Sequence, residues 1–346
     1  MGMAYALLAW SAGGLTAKLE RFGPRRIASV ALFLWAFAAA LPLLAPGREA
    51  GIWLGGVLGA AASGAVWPVV ESYLAAGRHG AVLRRALGRF NVTWTLSVAL
   101  PLLVFPWLTR WHPLGPLAVS ALANLGALAL LRRLPERPLV APEEHAAAAV
   151  GTEYRELFKA ARWLLPQSYL FIATLAPLLP HRLAALGTPV ADSMVAATWM
   201  VARFATLAVM ARVHFWHGRW GALVAASASL LLGVALALLA PSVGGVVAGL
   251  ALLGVGMALT YYASLYYSLT VGHAAVDAGG GFEALIGVGY VLGPMLGLAG
   301  RSLPGAAADG LGTVFLAWLI GAGAALAASR HYFQARRRRR VPVSFP

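Results

Sequence analysis

Apolar stretches of roughly twenty residues recur along the whole 346-residue chain, and this recurrence restricts its fold more than any other feature. An α-helix of about 20 apolar residues crosses the roughly 30 Å hydrocarbon layer of a bilayer. Only helices and closed barrels satisfy their backbone hydrogen bonds there, and these stretches are continuous rather than alternating. The sequence therefore predicts an all-α polytopic membrane protein.

The stretches predict eleven membrane helices. They cover about residues 1 to 17, 27 to 45, 51 to 76, 90 to 109, 113 to 131, 163 to 180, 189 to 211, 220 to 240, 243 to 270, 284 to 300 and 310 to 329. Composition agrees, because 60% of the residues are hydrophobic and 11% are charged, against about 45–50% and about 25% in soluble domains. Cysteine is absent, which excludes a disulfide scaffold.

A net charge of +15 would also suit a nucleic-acid partner, but the positions of the basic residues indicate membrane orientation instead. When the eleven predicted helices are threaded through the membrane in chain order, 22 of the 27 Lys and Arg residues lie on one side. They lie at about 18–26, 76–89, 132–162 and 212–219, and in the tail after residue 329. Because cytoplasmic loops carry the positive charge, we expect the C-terminus in the cytoplasm.

The same positions define the expected partners and location. The run Arg336 to Arg340 suits a cytoplasmic anchor that contacts anionic lipid headgroups, and no nucleic-acid partner is expected. The bias toward Ala, Leu, Gly and Arg is typical of GC-rich bacterial genomes, so we expect a bacterial inner membrane. The expected oligomeric state is a monomer.

A central polar stretch divides the chain into two halves. The prediction is an N-terminal bundle at 1–133, a cytoplasmic loop at 134–162, a C-terminal bundle at 163–330 and a basic tail at 331–346. An offset of about 193 residues relates the halves, as in transporters built from repeats. The partner of the sixth segment would precede Met1, so we expect twelve helices minus the first; a genuine eleven-helix protein is the alternative.

Three ionisable side chains inside the apolar stretches are candidates for function, because such groups are costly in a membrane. Glu71 suits proton exchange or a cationic substrate group, and the alternative is a structural carboxylate paired with a loop arginine. Arg203, with Trp199 one turn away, suits an anionic substrate group, or else an ion pair with another helix. Asp192 shares a helix face with Arg203 but lies where a simple helix-start residue is expected.

Tyrosines near the end of the ninth segment are further candidates. Tyr261, Tyr262 and Tyr266 offer apolar area with a hydrogen-bonding tip, which suits a substrate of mixed polarity. The alternative is an aromatic belt at the membrane interface. Gln167, in the sixth segment, is a weaker candidate, since amide side chains often only join neighbouring helices.

Glycines at intervals of four predict close helix packing in the tenth segment. Gly289, Gly293 and Gly297 fall on one helix face, and Pro294 interrupts the helix there. Such spacing lets helix backbones approach each other.

The loop after the first segment contains an acidic residue, an arginine, a glycine and two further arginines in close order: Glu20, Arg21, Gly23, Arg25 and Arg26. By these positions it resembles the signature loop of the major facilitator superfamily (MFS), while Thr16 and Lys18 depart from that pattern. The resemblance implies two helical bundles, alternating access and a latch in which Glu20 pairs with an arginine or a helix end. The alternative is that these arginines only fix topology.

The resulting interpretation is a secondary active or facilitative transporter of a small solute, with proton coupling as an option. The chain has no G-x-x-x-x-G-K-[ST] loop and no H-E-x-x-H, so we expect no ATP motor, cofactor, metal site or enzyme activity. The alternatives are a membrane lipid or glycan transferase, and a non-transporting sensor or scaffold of the same fold.

Overall fold

The regular secondary structure is helical throughout the part of the chain that the structure describes. A computed structural model describes residues 23–78, 80–138, 152–187, 192–213, 215–271, 276–303 and 310–340. The helices are α1 (Gly23–Leu44), α2 (Glu49–Ala75), α3 (Gly80–Trp111), α4 (Gly115–Leu131), α5 (Thr152–Ala185), α6 (Asp192–Arg212), α7 (Trp220–Leu239), α8 (Val243–Val271), α9 (Val276–Arg301) and α10 (Leu311–Arg340). The all-α prediction is confirmed, and the predicted segment at about 1 to 17 lies outside these ranges.

Length and composition fit a membrane fold. Within the described ranges, nine helices are long and apolar enough to span a bilayer, and α4 is a shorter apolar helix of 17 residues. The chain reverses between successive helices, so their ends form two faces. We call the face where α2 ends and α3 begins the basic end, and the opposite face the far end.

Several helices extend beyond the predicted apolar segments at the basic end. The helix α5 begins at Thr152 rather than 163, and α10 continues to Arg340, so parts of the predicted loop and tail are helical. Packing explains the extension, because the Glu156 carboxylate is buried between α5 and α10 and lies 2.9 Å from His331 Nδ1. Hydropathy marks only the apolar part of such a helix, whereas tertiary contacts hold the polar remainder.

The helices pack as two bundles. In the first bundle, α1 packs against α2 and α4. In the second bundle, α8 packs against α6 and α7, while α5 packs against α9 and α10. The bundles meet where α3 packs against α6 and where α2 packs against α9.

Glycines bring α9 very close to α5. A Cβ atom at Gly289 would lie 2.6 Å from the Pro166 carbonyl oxygen, and one at Gly293 would lie 2.7 Å from that of Leu170. The Thr174 hydroxyl donates a 2.8 Å hydrogen bond to the Gly293 carbonyl across the same seam. Glycine is therefore required at this approach, since any side chain would force the helices apart.

Candidate functional site

A cavity of about 1210 Å³ lies between the two bundles. Its walls come from α1 to α4 of the first bundle and from α5, α6, α8 and α9 of the second. It reaches residues near the far end, including Ile52 and Leu183, and its deepest residues include Trp94, Arg203 and Tyr261. Both bundles therefore contribute to one central site at mid-depth.

Contacts between the bundles close the basic end below the cavity. On the α3–α6 seam, a Cβ atom at Gly88 would lie 2.8 Å from Ala211 Cβ. Nearby, the Tyr262 hydroxyl donates a 3.3 Å hydrogen bond to the Arg84 carbonyl oxygen. On the α2–α9 seam, a Cβ atom at Gly279 would lie 2.7 Å from Glu71 Oε2.

The deepest part of the cavity, formed by Trp94, Arg203 and Tyr261, is called the cavity floor. Arg203 is the charged residue at its centre. It occupies the middle of α6, and only 1% of its surface is exposed. Its Nη2 donates a 2.9 Å hydrogen bond to the hydroxyl of Tyr169 on α5. Its Nε has no hydrogen-bond acceptor among the described residues.

Aromatic rings from both bundles surround the Arg203 guanidinium. Its carbon lies 4.6 Å from the ring centroid of Trp94, 4.7 Å from that of Tyr261 and 5.5 Å from that of Tyr169. The rings of Trp94 and Tyr261 stack on each other at 5.4 Å with an interplanar angle of 10°. Tyr290 completes the group through an edge contact of 5.3 Å with Tyr169. Cation–π attraction thus holds the guanidinium in an otherwise apolar place.

Two carboxyl groups meet just below this cluster, toward the basic end. Glu71 on α2 is fully buried, and the side chain within hydrogen-bonding reach of it is that of Glu283 on α9. Neither oxygen of Glu71 receives a hydrogen bond from a donor in the described ranges. Since two ionised carboxylates in contact inside a protein repel each other strongly, this pair is a natural place for a proton.

The predicted candidates take up different places. Trp199, Arg203 and Tyr261 line the cavity, and Glu71 lies beneath it. Tyr262 and Tyr266 do not line the cavity and instead join an aromatic cluster with Trp216, at ring distances of 4.8 and 5.8 Å. Successive side chains on a helix point in different directions, so Tyr261 and Tyr262 serve different surfaces.

Two further candidates lie away from the floor. Gln167 is buried, and its amide lies beside Gly321 of α10, so it belongs to the α5–α10 packing. Its amide atoms have no hydrogen-bond partner in the described part of the chain. Asp192 is the first residue of α6, where a helix-start residue is expected.

The signature loop is described only from Gly23 onward, so Glu20 and Arg21 lie outside the described residues. Gly23 has φ +71°, a conformation that favours glycine. Arg25 lies 3.1 Å from the carboxylate of Glu136, and Arg26 lies 3.7 Å from it. Since Glu136 follows α4, these pairs join elements of the first bundle to each other.

The structure adds three residues that sequence reasoning did not select: Trp94, Glu283 and Tyr290. Glu283 lies one residue before the predicted tenth segment. A prediction that began this segment one residue earlier would have identified Glu283 as a carboxylate inside the membrane. Trp94 lies near the middle of α3, where an interfacial tryptophan is not expected, and that position was the available signal. No group of three His, Asp or Glu residues in the described ranges could hold a metal ion.

Comparison with known proteins relates the structure to one fold. No family model and no curated protein sequence matches the chain. The structure is similar to that of the human organic anion transporter MFSD10 (TETRAN), with a TM-score of 0.66 at 18% identity over 92% of this chain and 82% of that chain. It is also similar to the MFS transporter FucP in the outward conformation, with a TM-score of 0.60 at 14% identity over 95% and 88%.

A structure of a variant of the E. coli fucose:proton symporter FucP gives the same TM-score of 0.60, at 15% identity over 95% of this chain and 89% of that one. The chain therefore has the MFS transporter fold, and the resemblance that the signature loop indicated is confirmed.

Proposed function

We propose that this chain, which has the MFS transporter fold, is a secondary transporter that moves a small solute by alternating access between its two bundles. The observation that carries the proposal is the placement of the cavity, which lies between the bundles, extends toward the far end and is closed at the basic end. In transporters of this kind, one bundle rocks against the other around a fixed central site.

The distribution of basic residues supports an orientation. With the basic end in the cytoplasm, the structure corresponds to an outward-facing state. The C-terminus is then cytoplasmic, and the arginines that end α10 lie near anionic headgroups of a bacterial inner membrane. We expect the protein to work as a monomer, since the described residues of one chain supply cavity walls from both bundles.

The carboxyl pair supports proton coupling. Glu71 and Glu283 belong to different bundles, and they meet at a seam that must open when the cytoplasmic side opens. Tyr261 on α8 lies within electrostatic range of both carboxyls, and Tyr169 and Tyr290 lie within electrostatic range of Glu283. A proton shared by the pair favours the closed seam, and its loss leaves two negative charges that favour opening.

The activities for which similar structures are named bear on the choice of solute. MFSD10 is called an organic anion transporter, and FucP is called a fucose:proton symporter. Small organic solutes and protons are therefore within the range of this fold.

A cross-link at the basic end tests alternating access. The chain has no cysteine, so Gly88→Cys with Ala211→Cys introduces a single pair across the α3–α6 seam. The Cβ separation of 2.8 Å is too close for two side chains, and the helices must separate by at least about 0.7 Å to reach the disulfide range of about 3.5–4.5 Å. We expect oxidation to stop uptake of a solute panel into proteoliposomes and reduction to restore it.

The two single-cysteine variants are the controls, since neither can form the bond. Unchanged uptake after complete cross-linking would contradict opening at this seam. Absence of uptake for every solute, before oxidation as well as after, would favour a non-transporting sensor or a membrane enzyme.

A further inference from the structure

We propose that the cavity floor binds an organic anion with a flat aromatic body, and that Arg203 receives its charge. The inference deepens the proposed function, on which it rests, because it names the class of solute that the cavity carries. Three observations carry it: the unpaired charge of Arg203, the rings around it and the scarcity of free polar groups in the walls.

Arg203 forms no ion pair in the described part of the chain, although Glu283, one of the two carboxyls below it, also lines the cavity. The ion pairs there join Arg25 and Arg26 to Glu136, and Lys159 and His331 to Glu156. A buried guanidinium without a paired anion is costly, since desolvation of the charge is not offset. A solute anion would supply the missing charge at the place where the cavity ends.

The edge of the guanidinium is the part left for a ligand. Trp94 and Tyr261 contact the guanidinium at 4.6 and 4.7 Å, and Nη2 is engaged by Tyr169. The Nε donor remains without an acceptor in the described ranges. Arginine binds carboxylates and tetrahedral oxyanions through its edge donors, so the geometry favours a carboxylate or a sulfonate.

The surrounding walls favour an aromatic body. Trp67, Trp199 and Tyr290 line the cavity near Arg203, in addition to the two stacked rings. Such rings offer large apolar faces and stack on other rings. A flat aromatic solute can therefore lie among them while its anionic group reaches Arg203.

A sugar-like solute fits these walls less well. Hydroxyl groups of a sugar need several hydrogen-bonding partners, and each unmet one is penalised. Apart from Arg203, Glu283 and the tyrosine hydroxyls, the polar side chains of the wall are few. One of them, the Ser63 hydroxyl, accepts a 3.0 Å hydrogen bond from Trp67 Nε1.

Binding calorimetry on the purified full chain in lipid nanodiscs tests the inference with a matched set of probes. They are 2-naphthalenesulfonate, methanesulfonate, 2-naphthalenemethanol and 2-naphthylmethylamine, which separate charge from aromatic character. We expect the aromatic anion to bind at least about tenfold more tightly than the other three. Sulfonates stay ionised at every working pH, so pH effects on their binding belong to the protein.

Variants locate the site. Arg203→Gln should weaken 2-naphthalenesulfonate binding by about 10- to 100-fold, as expected for a lost charge-assisted hydrogen bond. Arg203→Lys keeps the positive charge but loses the planar guanidinium with its paired N–H donors, so its affinity for 2-naphthalenesulfonate should be intermediate. The control is Arg162→Gln, which removes one positive charge from an exposed position beside Phe158, outside the cavity.

A second variant keeps the test valid if Arg203→Gln fails to fold. Trp94→Leu should weaken binding of the aromatic anion more than it weakens binding of methanesulfonate. Preferred binding of the neutral or cationic probe, or undiminished anion binding by both the Arg203 and the Trp94 variants, would overturn the inference.

Transport assays separate this inference from the proposed function. Arg203-dependent binding without uptake into proteoliposomes would support the anion site and contradict the transporter. Uptake of other solutes, with no binding of 2-naphthalenesulfonate, would support the transporter and overturn the anion site.

Discussion

Charged residues in the interior define what the molecule can do chemically, and each is tied to a neighbour from a distant part of the chain. Arg203 depends on Trp94 and Tyr261, and Glu71 depends on Glu283. Arg203 and Glu71 were predictable, because an ionisable residue in an apolar stretch stands out. Their neighbours were not, since a tryptophan or a boundary glutamate stands out only after the helices are brought together.

The carboxyl pair makes a testable prediction about proton use. In the double variant Glu71→Gln/Glu283→Gln, no carboxyl remains at this position to take up or lose a proton, so a pH gradient has nothing to act on. We expect uptake driven by an inward proton gradient to fall by at least about tenfold, while solute exchange at equal pH continues. The measurement is uptake and counterflow of the same solute in proteoliposomes.

Glu49→Gln is the control for this prediction, because it removes an exposed carboxylate at the start of α2. Gradient-driven uptake that persists at the original rate in the double variant would exclude this pair as the coupling site.

At the scale of helices, packing depends on small residues that sequence spacing alone revealed. The glycines of α9 were predicted to allow close approach, and the structure shows which helix approaches: α5, with backbone atoms against Gly289 and Gly293. The ends of the helices were less predictable. The extension of α5 to Thr152 depends on Glu156 meeting α10, a contact between residues far apart in the sequence.

Gly293→Val should destabilise the protein through this seam. A Cβ atom there would lie 2.5 Å from Ala173 Cβ and 2.7 Å from the Leu170 carbonyl oxygen, so the helices must separate. Overpacking of this kind costs about 1–3 kcal/mol. The expected result is a lower thermal unfolding temperature in detergent.

Gly323→Val provides the comparison, since a Cβ atom at Gly323 has no neighbour within 4 Å among the described atoms. Equal unfolding temperatures for the two variants would show that the α5–α9 approach is not close.

For the whole molecule, the charge pattern predicted an orientation and the hydropathy pattern predicted the two-bundle fold. The fold is confirmed by its similarity to MFS transporters, and the orientation remains a prediction. The cavity itself was beyond sequence reasoning, because its walls come from eight helices whose relative placement no local pattern specifies.

Single cysteines in this cysteine-free chain test the orientation. Trp111→Cys is at the far end and Leu134→Cys is at the basic end, and both positions are exposed. In intact cells we expect a membrane-impermeant maleimide to label the first and not the second, because the basic end faces the cytoplasm. Labelling after lysis is the control for reactivity, and the reverse pattern in intact cells would invert the topology.

The stacked rings at the cavity floor have a further consequence for an empty carrier. Trp94 belongs to the first bundle and Tyr261 to the second, so the stack fastens the bundles together at the depth of Arg203. A flat solute between Trp94 and Tyr261 would replace the contact between the two rings by contacts of each ring with the solute. If the bundles move as proposed, movement without a solute must break this stack without new contacts in exchange. On the proposed function, the same pair of rings would therefore both receive the solute and disfavour cycling of the unloaded protein.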